Sequence, residues 1–257
     1  MCTLLLLHRC VVGSPLVVAA NRDEYLDRPA APPALSAGGP MAWVAPADLR
    51  AGGTWLGVNA AGVFAGLTNR PTTTPDPSRR SRGLLVLDAL ESPDAPTAVR
   101  RLEALAEGAY NPFNLVVADG RDAFVVGYER GPLVTKLAPG VHVIGNSDPA
   151  TSAPKLARLR ERARAAAHEN RSDVLEALAD LCREHAGAGG PLDDACVHTL
   201  RYGTRSSTLL QLGDRDSLRF ADGPPCRTAY EDFSHLLLAL GRPAAASAGE
   251  HLARMAP

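Results

Sequence analysis

Apolar and polar positions fall into short blocks along this chain, and the blocks alternate between strand-like and helix-like spacing. Thr3–His8 and Leu16–Ala20 are two apolar runs separated by Gly13-Ser14-Pro15, which predicts a β-hairpin. The next eight residues, Asn-Arg-Asp-Glu-Tyr-Leu-Asp-Arg from Asn21 to Arg28, are abruptly polar. The Pro/Gly-rich stretch Pro29–Pro40 reads as loop. Met41–Val44, Thr54–Asn59 and Val63–Thr68 read as strands, the last two joined through Ala60-Ala61-Gly62. Ser81–Glu91 and Thr97–Glu107 carry apolar residues at helical spacing, with Ser81 and Thr97 as candidate N-caps.

A second strand block follows: Phe113–Ala118, Ala123–Tyr128, Leu133–Leu137 and Val141–Ile144. Pro154–Ala167 and Ser172–Glu184 read as helices, the second capped by Ser172, and Gly187–Gly190 as a flexible link. Ser206–Leu212 and Ser217–Ala221 form a hairpin around Gly213-Asp214, and Ala229–Leu240 reads as a final helix. Hairpins dominate, so the sheets should be mainly antiparallel. Helices grouped between strand blocks predict an α+β fold of layers on sheets rather than a doubly wound parallel sheet. Neither a repeat nor a domain boundary interrupts the pattern. Residues 1–257 therefore read as one domain, with about 228–257 as a partly helical C-terminal extension and a loose tail.

Composition narrows the function classes. A net charge of −1 gives no global field for nucleic acid. The basic cluster Arg79, Arg80 and Arg82 reads as a solvated loop, with a phosphate or partner contact as the alternative. Apolar runs fall well short of the roughly 20 residues of a spanning helix, so no integral membrane segment is expected. The start lacks the basic region and cleavage site of a signal peptide, which makes the cytoplasm the expected location. Five scattered cysteines (Cys2, Cys10, Cys182, Cys196 and Cys226) include no CxxC pair. Neither a disulfide framework nor a metal site is expected from them. Oligomeric state leaves no mark on the sequence.

Polar residues bunch at strand ends: Asn21–Glu24, Gly52-Gly53-Thr54-Trp55-Leu56-Gly57, Thr68-Asn69-Arg70, Gly145–Asp148 and Tyr202–Thr208. The glycines fit neither a phosphate-binding loop nor a dinucleotide fingerprint. Cys2 differs from the rest by its position. A small second side chain permits removal of Met1, leaving a thiol and a free α-amine on one residue. The unperturbed amine has a pKa of roughly 7.7–8.0 and the thiol roughly 8.5. Such an amine can act as base for its own side chain, directly or through water. The alternative is a small buried residue opening the first strand.

Taken together and in order, Met1-Cys2-Thr3, Asn21-Arg22-Asp23-Glu24, Gly52–Gly57 and Leu67-Thr68-Asn69 closely resemble the NRDE family, that of Transport and Golgi organization protein 2. Gly145-Asn146-Ser147 and Tyr202–Thr208 resemble its later motifs, so the likeness runs from Met1 to about Arg227. The resemblance implies a four-layer αββα sandwich of the N-terminal-nucleophile (Ntn) hydrolase type. More distant kin are the penicillin V acylases and bile salt hydrolases. By that likeness Cys2 is the nucleophile, Asp23 holds the α-amine, Asn69 and Asn146 bind the oxyanion, and Arg205 supports Asp23 or an anionic group. Arg22 departs from the pattern: those hydrolases place their early Arg where this chain has Ala20. A one-residue shift on an extended segment turns a side chain the other way, which leaves Arg22 either binding substrate or paired with a carboxylate. Trp55 and Asn21 are further substrate-binding candidates. Trp43, Trp55, Phe64 and Tyr110 are candidates for an apolar pocket wall, with core packing the favoured reading for Trp55 and Phe64, which sit in expected strands.

The implied activity is hydrolysis of an amide or related acyl bond of a small molecule through a Cys2 thioester, without a cofactor. Family links to haem trafficking and lipid metabolism imply an alternative: a haem- or acyl-lipid-binding protein on a retained Ntn scaffold. His8, His142, His198 and Cys10 would then be the candidate haem ligands.

Overall fold

The structure is a computed structural model that describes residues 2–149, 153–168, 174–185 and 189–242. Its first hairpin pairs β1 (Thr3–Val11) with β2 (Ser14–Tyr25), in register from Thr3 opposite Asn21 to His8 opposite Leu16. Both faces of this hairpin are covered, which is why its apolar runs are continuous rather than alternating. Leu4, Leu6, Leu16 and Val18 enter one core cluster, while Leu5, Leu7, Val17 and Ala19 enter another.

Two antiparallel sheets result. One has six strands in the order β10-β1-β2-β11-β12-β13, with β10 (Gly140–Ile144), β11 (Tyr202–Leu212), β12 (Ser217–Ala221) and β13 (Glu231–Asp232). The other has seven strands in simple sequence order. They are β3 (Ala30–Ser36), β4 (Trp43–Asp48), β5 (Leu56–Asn59), β6 (Phe64–Asn69), β7 (Phe113–Ala118), β8 (Ala123–Tyr128) and β9 (Pro132–Leu137). The central core joins the sheets: Leu4, Leu6 and Leu210 meet Leu56, Phe64 and Val116. Outside the seven-stranded sheet lie α1 (Arg82–Leu90) and α2 (Ala95–Glu103), sealing Val86, Leu90 and Leu102 against Phe113 and Tyr128. Outside the other lie α3 (Pro154–His168) and α4 (Val174–Cys182), sealing Leu159 and Leu178 against Leu5 and Val17. The layers are therefore αββα. Each fully buried Leu or Phe contributes about 1.5–3 kcal/mol of transfer free energy, so three separate clusters hold the layers together.

Three local expectations are corrected. The segment Pro29–Pro40 contains a strand, β3, because it lies at the sheet's edge. A bulge between Ala31 and Ala34 absorbs Pro32 and Pro33, and edges and bulges are where proline costs no ladder bond. The polar run after Ala20 does not end its strand, since β2 continues to Tyr25 against β11. Helix α2 is capped by Asp94, whose carboxylate accepts from the Thr97 amide at 2.6 Å, and Pro96 occupies its first turn, so it begins earlier than Thr97 suggested. Ser81 does precede α1, without a side-chain cap bond. Ser172 and residues 186–188 lie outside the described residues.

Beyond β12 the chain packs into the fold. Phe233 donates its amide to Leu218 O, β13 pairs with β12, and a short helix α5 (Ser234–Ala239) buries Leu237 in the central core. The residues from 243 onward lie outside the described part.

Candidate functional site

Cys2 stands immediately before β1, beside the polar end of β2. Successive side chains of β2 point to opposite faces. Arg22 turns toward the second sheet, its guanidinium carbon 4.2 Å from the centre of the Trp55 ring. Asn21 and Asp23 turn toward the helical layer. The Cys2 thiol is half-buried, with Sγ 3.8 Å from the backbone oxygen of Asp23. Burial pushes the thiol pKa up, while the positive charge at the amino terminus and Arg22 pull it down.

Asp23 is buried, and its surroundings orient it closely. Thr204 donates from Oγ1 to Asp23 Oδ1 at 2.6 Å, and Tyr202 donates its phenol to Asp23 O at 2.8 Å. Thr204 comes into reach because β11 pairs it with Asp23 and then bulges before Ser206. Burial raises the Asp23 carboxyl to about 6, against the lowering effect of the amino-terminal charge and of the Thr204 bond. Lys155, in the first turn of α3, is buried as well, and its Nζ has no hydrogen-bond partner among the described residues. A cation in a first helical turn opposes the helix dipole. Burial lowers the Lys155 pKa, and the fields of Asp23, Asp193 and Cys2 act in the opposite direction.

In front of Cys2 opens a cleft of about 270 Å³, walled by Arg22, Thr54, Trp55, Leu67, Asn69 and Arg82 among others. Arg79 and Arg80 also line it, so the basic cluster read as a solvated loop forms part of the cleft wall. One close approach explains how. Gly53 adopts φ +81°, and a Cβ there would lie 2.3 Å from the Gly83 carbonyl carbon. Only glycine lets these two segments meet, joined by the Thr54 amide donating to Gly83 O at 3.1 Å. That contact brings the start of α1, with Arg82, to the cleft.

The cations of the cleft are not equivalent. Arg28 is paired with Asp48 and Glu24, Arg79 with Asp76, and Arg80 with Asp88. Arg82 donates to Pro112 O at 2.9 Å, and Arg22 lies on Trp55; neither has a carboxylate partner among the described residues. Arg22 Nη1 is buried without a hydrogen bond there. The expected alternative of Arg22 paired with a carboxylate is thus not what the fold contains. Its strand position turns it onto Trp55 instead.

The remaining expected residues divide. Asn69 lines the cleft with Cys2, and its backbone oxygen accepts from the Asn146 side-chain amide. Asn146 is held there because Thr68 and Asn114, both buried, donate to Gly145 O at 2.6 and 3.0 Å. Asn21 is occupied elsewhere: its amide donates to Cys182 O and Ala195 O at 2.9 and 2.8 Å, and its oxygen accepts from Ser207. It anchors α4 to β2 instead of reaching the cleft interior. Arg205 is the extra residue of the β11 bulge, so it turns away from Asp23 and pairs with Asp222 at 2.7 Å. Thr204 takes the supporting place. Phe64 is fully buried core; Tyr110, also buried, receives a bond from Arg80 on its phenol; and Trp43 packs on the α1–α2 side.

Sequence reading missed Thr204 and Lys155. Thr204 stood inside a quoted motif, but nothing in the motif singles out its hydroxyl, and nothing local distinguishes Lys155. Arg82 stood in the basic cluster, where a contact with an anion was only the alternative reading. Of the haem candidates, His8 Nε2 bonds Asp119 O at 3.2 Å and His142 Nε2 bonds Ala138 O at 2.8 Å. His198 instead joins a cluster with His185, Cys196 and Cys226, whose ligand atoms all lie within 4.8 Å of one another. Spacing gave no reason to expect a metal site, because the four residues come from separate segments and contain no CxxC.

Comparison with known proteins gives the family and the fold. A family model described as Transport and Golgi organisation 2 matches residues 1–223. The Transport and Golgi organization protein 2 homolog of Bos taurus is 32% identical over 226 residues, covering 76% of this chain and 81% of the relative. Among solved structures, penicillin V acylase from Agrobacterium tumefaciens superposes with a TM-score of 0.56 at 16% identity, over 91% of this chain and 86% of that one. The C2A mutant of conjugated bile acid hydrolase from Clostridium perfringens gives 0.57 at 11% identity, over 91% and 93%. These likenesses fix the fold as that of the Ntn hydrolases. Among the described residues, no helix is long and apolar enough to cross a membrane.

Proposed function

We propose, from the premise that this chain belongs to the Transport and Golgi organisation 2 family, that it hydrolyses an amide or related acyl bond of a small molecule through Cys2. The observation that carries this reading is the convergence of Cys2, Asp23, Arg22 and Asn69 at the end of the first hairpin, beside a cleft. The acylase and hydrolase named among the structural neighbours support the same scaffold use.

In this reading removal of Met1 frees the Cys2 α-amine. The amine takes the thiol proton, and the thiolate attacks the acyl carbon. Asn69 donates to the resulting oxyanion, a kind of contact worth about 3–4 kcal/mol when one donor is lost. The C–N bond then breaks, the leaving amine takes the proton from the α-ammonium, and an acyl thioester remains on Cys2. Water attacks it with the amine again as base, releasing the acid and restoring the thiol. Asp23, oriented by Thr204, positions the amine, and Lys155 favours the ionised form of Asp23. Arg22 and Arg82, cleft guanidinium groups without a carboxylate partner among the described residues, favour a substrate that carries a negative group.

The test is a library of small amides and esters, with and without a carboxylate or phosphate, assayed against the wild type, Cys2→Ala and Cys2→Ser. Activity in the wild type that is lost in Cys2→Ala supports the reading. Equal turnover by wild type and Cys2→Ala overturns it.

A further inference from the structure

Behind the Asp23 support lies a second cluster that the reaction above does not use. Cys196 and His198 sit on the connection between α4 and β11, Cys226 on the turn after β12, and His185 just beyond α4. Cys196 Sγ lies 3.6 Å from Cys226 Sγ and 3.6 Å from His198 Nε2, and His198 Nε2 lies 3.1 Å from Cys226 Sγ. The His185 ring is 5.1 Å from the His198 ring. The geometry points to a tetrahedral divalent zinc site formed by His185, Cys196, His198 and Cys226.

The spacings fit zinc. Zinc binds thiolate at about 2.3 Å and imidazole at about 2.0–2.1 Å. A tetrahedron with those arms separates two sulfurs by about 3.8 Å and a sulfur from a nitrogen by about 3.6 Å. The observed spacings, with all four ligand atoms within 4.8 Å, need shifts of only tenths of an ångström at the first three ligands and a modest turn of His185.

Two thiolates and two imidazoles are a soft, four-coordinate set that selects zinc over magnesium, calcium or manganese. Binding displaces one proton from each thiol, and the two thiolate charges neutralise the dication. The Asp194 carboxylate lies 3.8 Å from His185 Nδ1, a small shift away from the hydrogen bond by which an outer carboxylate commonly orients a metal-bound histidine through its second nitrogen.

Val197, between two ligands, exchanges backbone and side-chain bonds with Thr204: its amide donates to Thr204 Oγ1 at 2.8 Å and its oxygen accepts from the Thr204 amide at 2.8 Å. Ala195, next to Cys196, accepts from Asn21. The metal would therefore fix the short segment that positions Thr204, and through it Asp23. Its role is structural, since four protein ligands leave no open position for substrate.

The experiment is metal analysis of the full chain, purified under reducing conditions without chelator, followed by replacement with Co(II). The expected result is close to one zinc per chain. Co(II) should produce thiolate charge-transfer absorption and the intense visible bands of tetrahedral coordination. Cys226→Ser should weaken the charge-transfer absorption, and zinc removal should lower Tm. Two outcomes overturn the proposal: no metal retained together with no thiolate–Co(II) spectrum in the reduced wild-type protein, or a Cys196–Cys226 disulfide in protein isolated with its native redox state trapped. Neither readout depends on hydrolysis, so the site stands or falls apart from the reaction at Cys2.

Discussion

Thr204 and Asp23 are joined across β11 and β2 by a 2.6 Å bond from the threonine hydroxyl to the carboxylate. The same hydroxyl accepts from the Val197 amide, so one side chain links the buried carboxylate to the segment behind it. Thr204→Val keeps the shape and leaves both partners without that bond, at about 1–3 kcal/mol for each buried group. The expected outcome is a lower Tm and Cys2 alkylation at neutral pH slowed about tenfold, the equivalent of 1.4 kcal/mol. Thr204→Ser, which restores the hydroxyl, should recover most of the alkylation rate. Equal rates in Thr204→Val and wild type would separate Thr204 from the site.

Arg82 reaches the cleft without a carboxylate partner among the described residues. A charge-assisted bond to a substrate anion contributes about 1.5–3 kcal/mol, or roughly 10–150-fold in kcat/KM. Arg82→Met should impose that loss on an anionic substrate and less than about twofold on its neutral isostere. Equal losses on both would assign Arg82 to cleft shape alone.

Asp23 gives a pH signature in stability. Its carboxyl titrates at about 6 in the folded protein because burial penalises the charge, whereas an unfolded Asp titrates near 3.9. Between roughly pH 4 and 6 the unfolded chain has lost this proton and the folded chain keeps it, so stability falls as pH rises. The span corresponds to about 3 kcal/mol at most. Asp48 and Asp94 are shifted the opposite way, so the contribution is read as a difference between wild type and Asp23→Asn. Denaturant midpoints measured from pH 4 to 7 should drop more in wild type than in the variant. Parallel curves would contradict the assignment.

Much of the fold was legible because its signals are local. β7, β8 and β12 keep their sequence-derived limits, since alternating or continuous apolar runs end at turn residues there. The first hairpin followed from the same logic as far as Ala20, but the continuation of β2 through Asp23 did not, because its partner there is the distant β11. Other features depend on partners distant in sequence. The proline-rich segment forms β3 because β4 offers it an edge, and Arg205 leaves Asp23 because β11 bulges at that point. Lys155 meets Asp23 across more than a hundred residues of chain. The four potential metal ligands join only once α4, β11 and β12 are in place. No periodicity in the chain encodes such meetings.

Whether Cys2 is the nucleophile is read from intact mass before and after brief exposure to limiting iodoacetamide at neutral pH, with the adduct mapped by fragmentation. The expected result is a chain lacking Met1 that gains one adduct, on Cys2, well ahead of Cys10 and Cys226. Retained Met1, or a Cys2 that reacts no faster than Cys10, would contradict it.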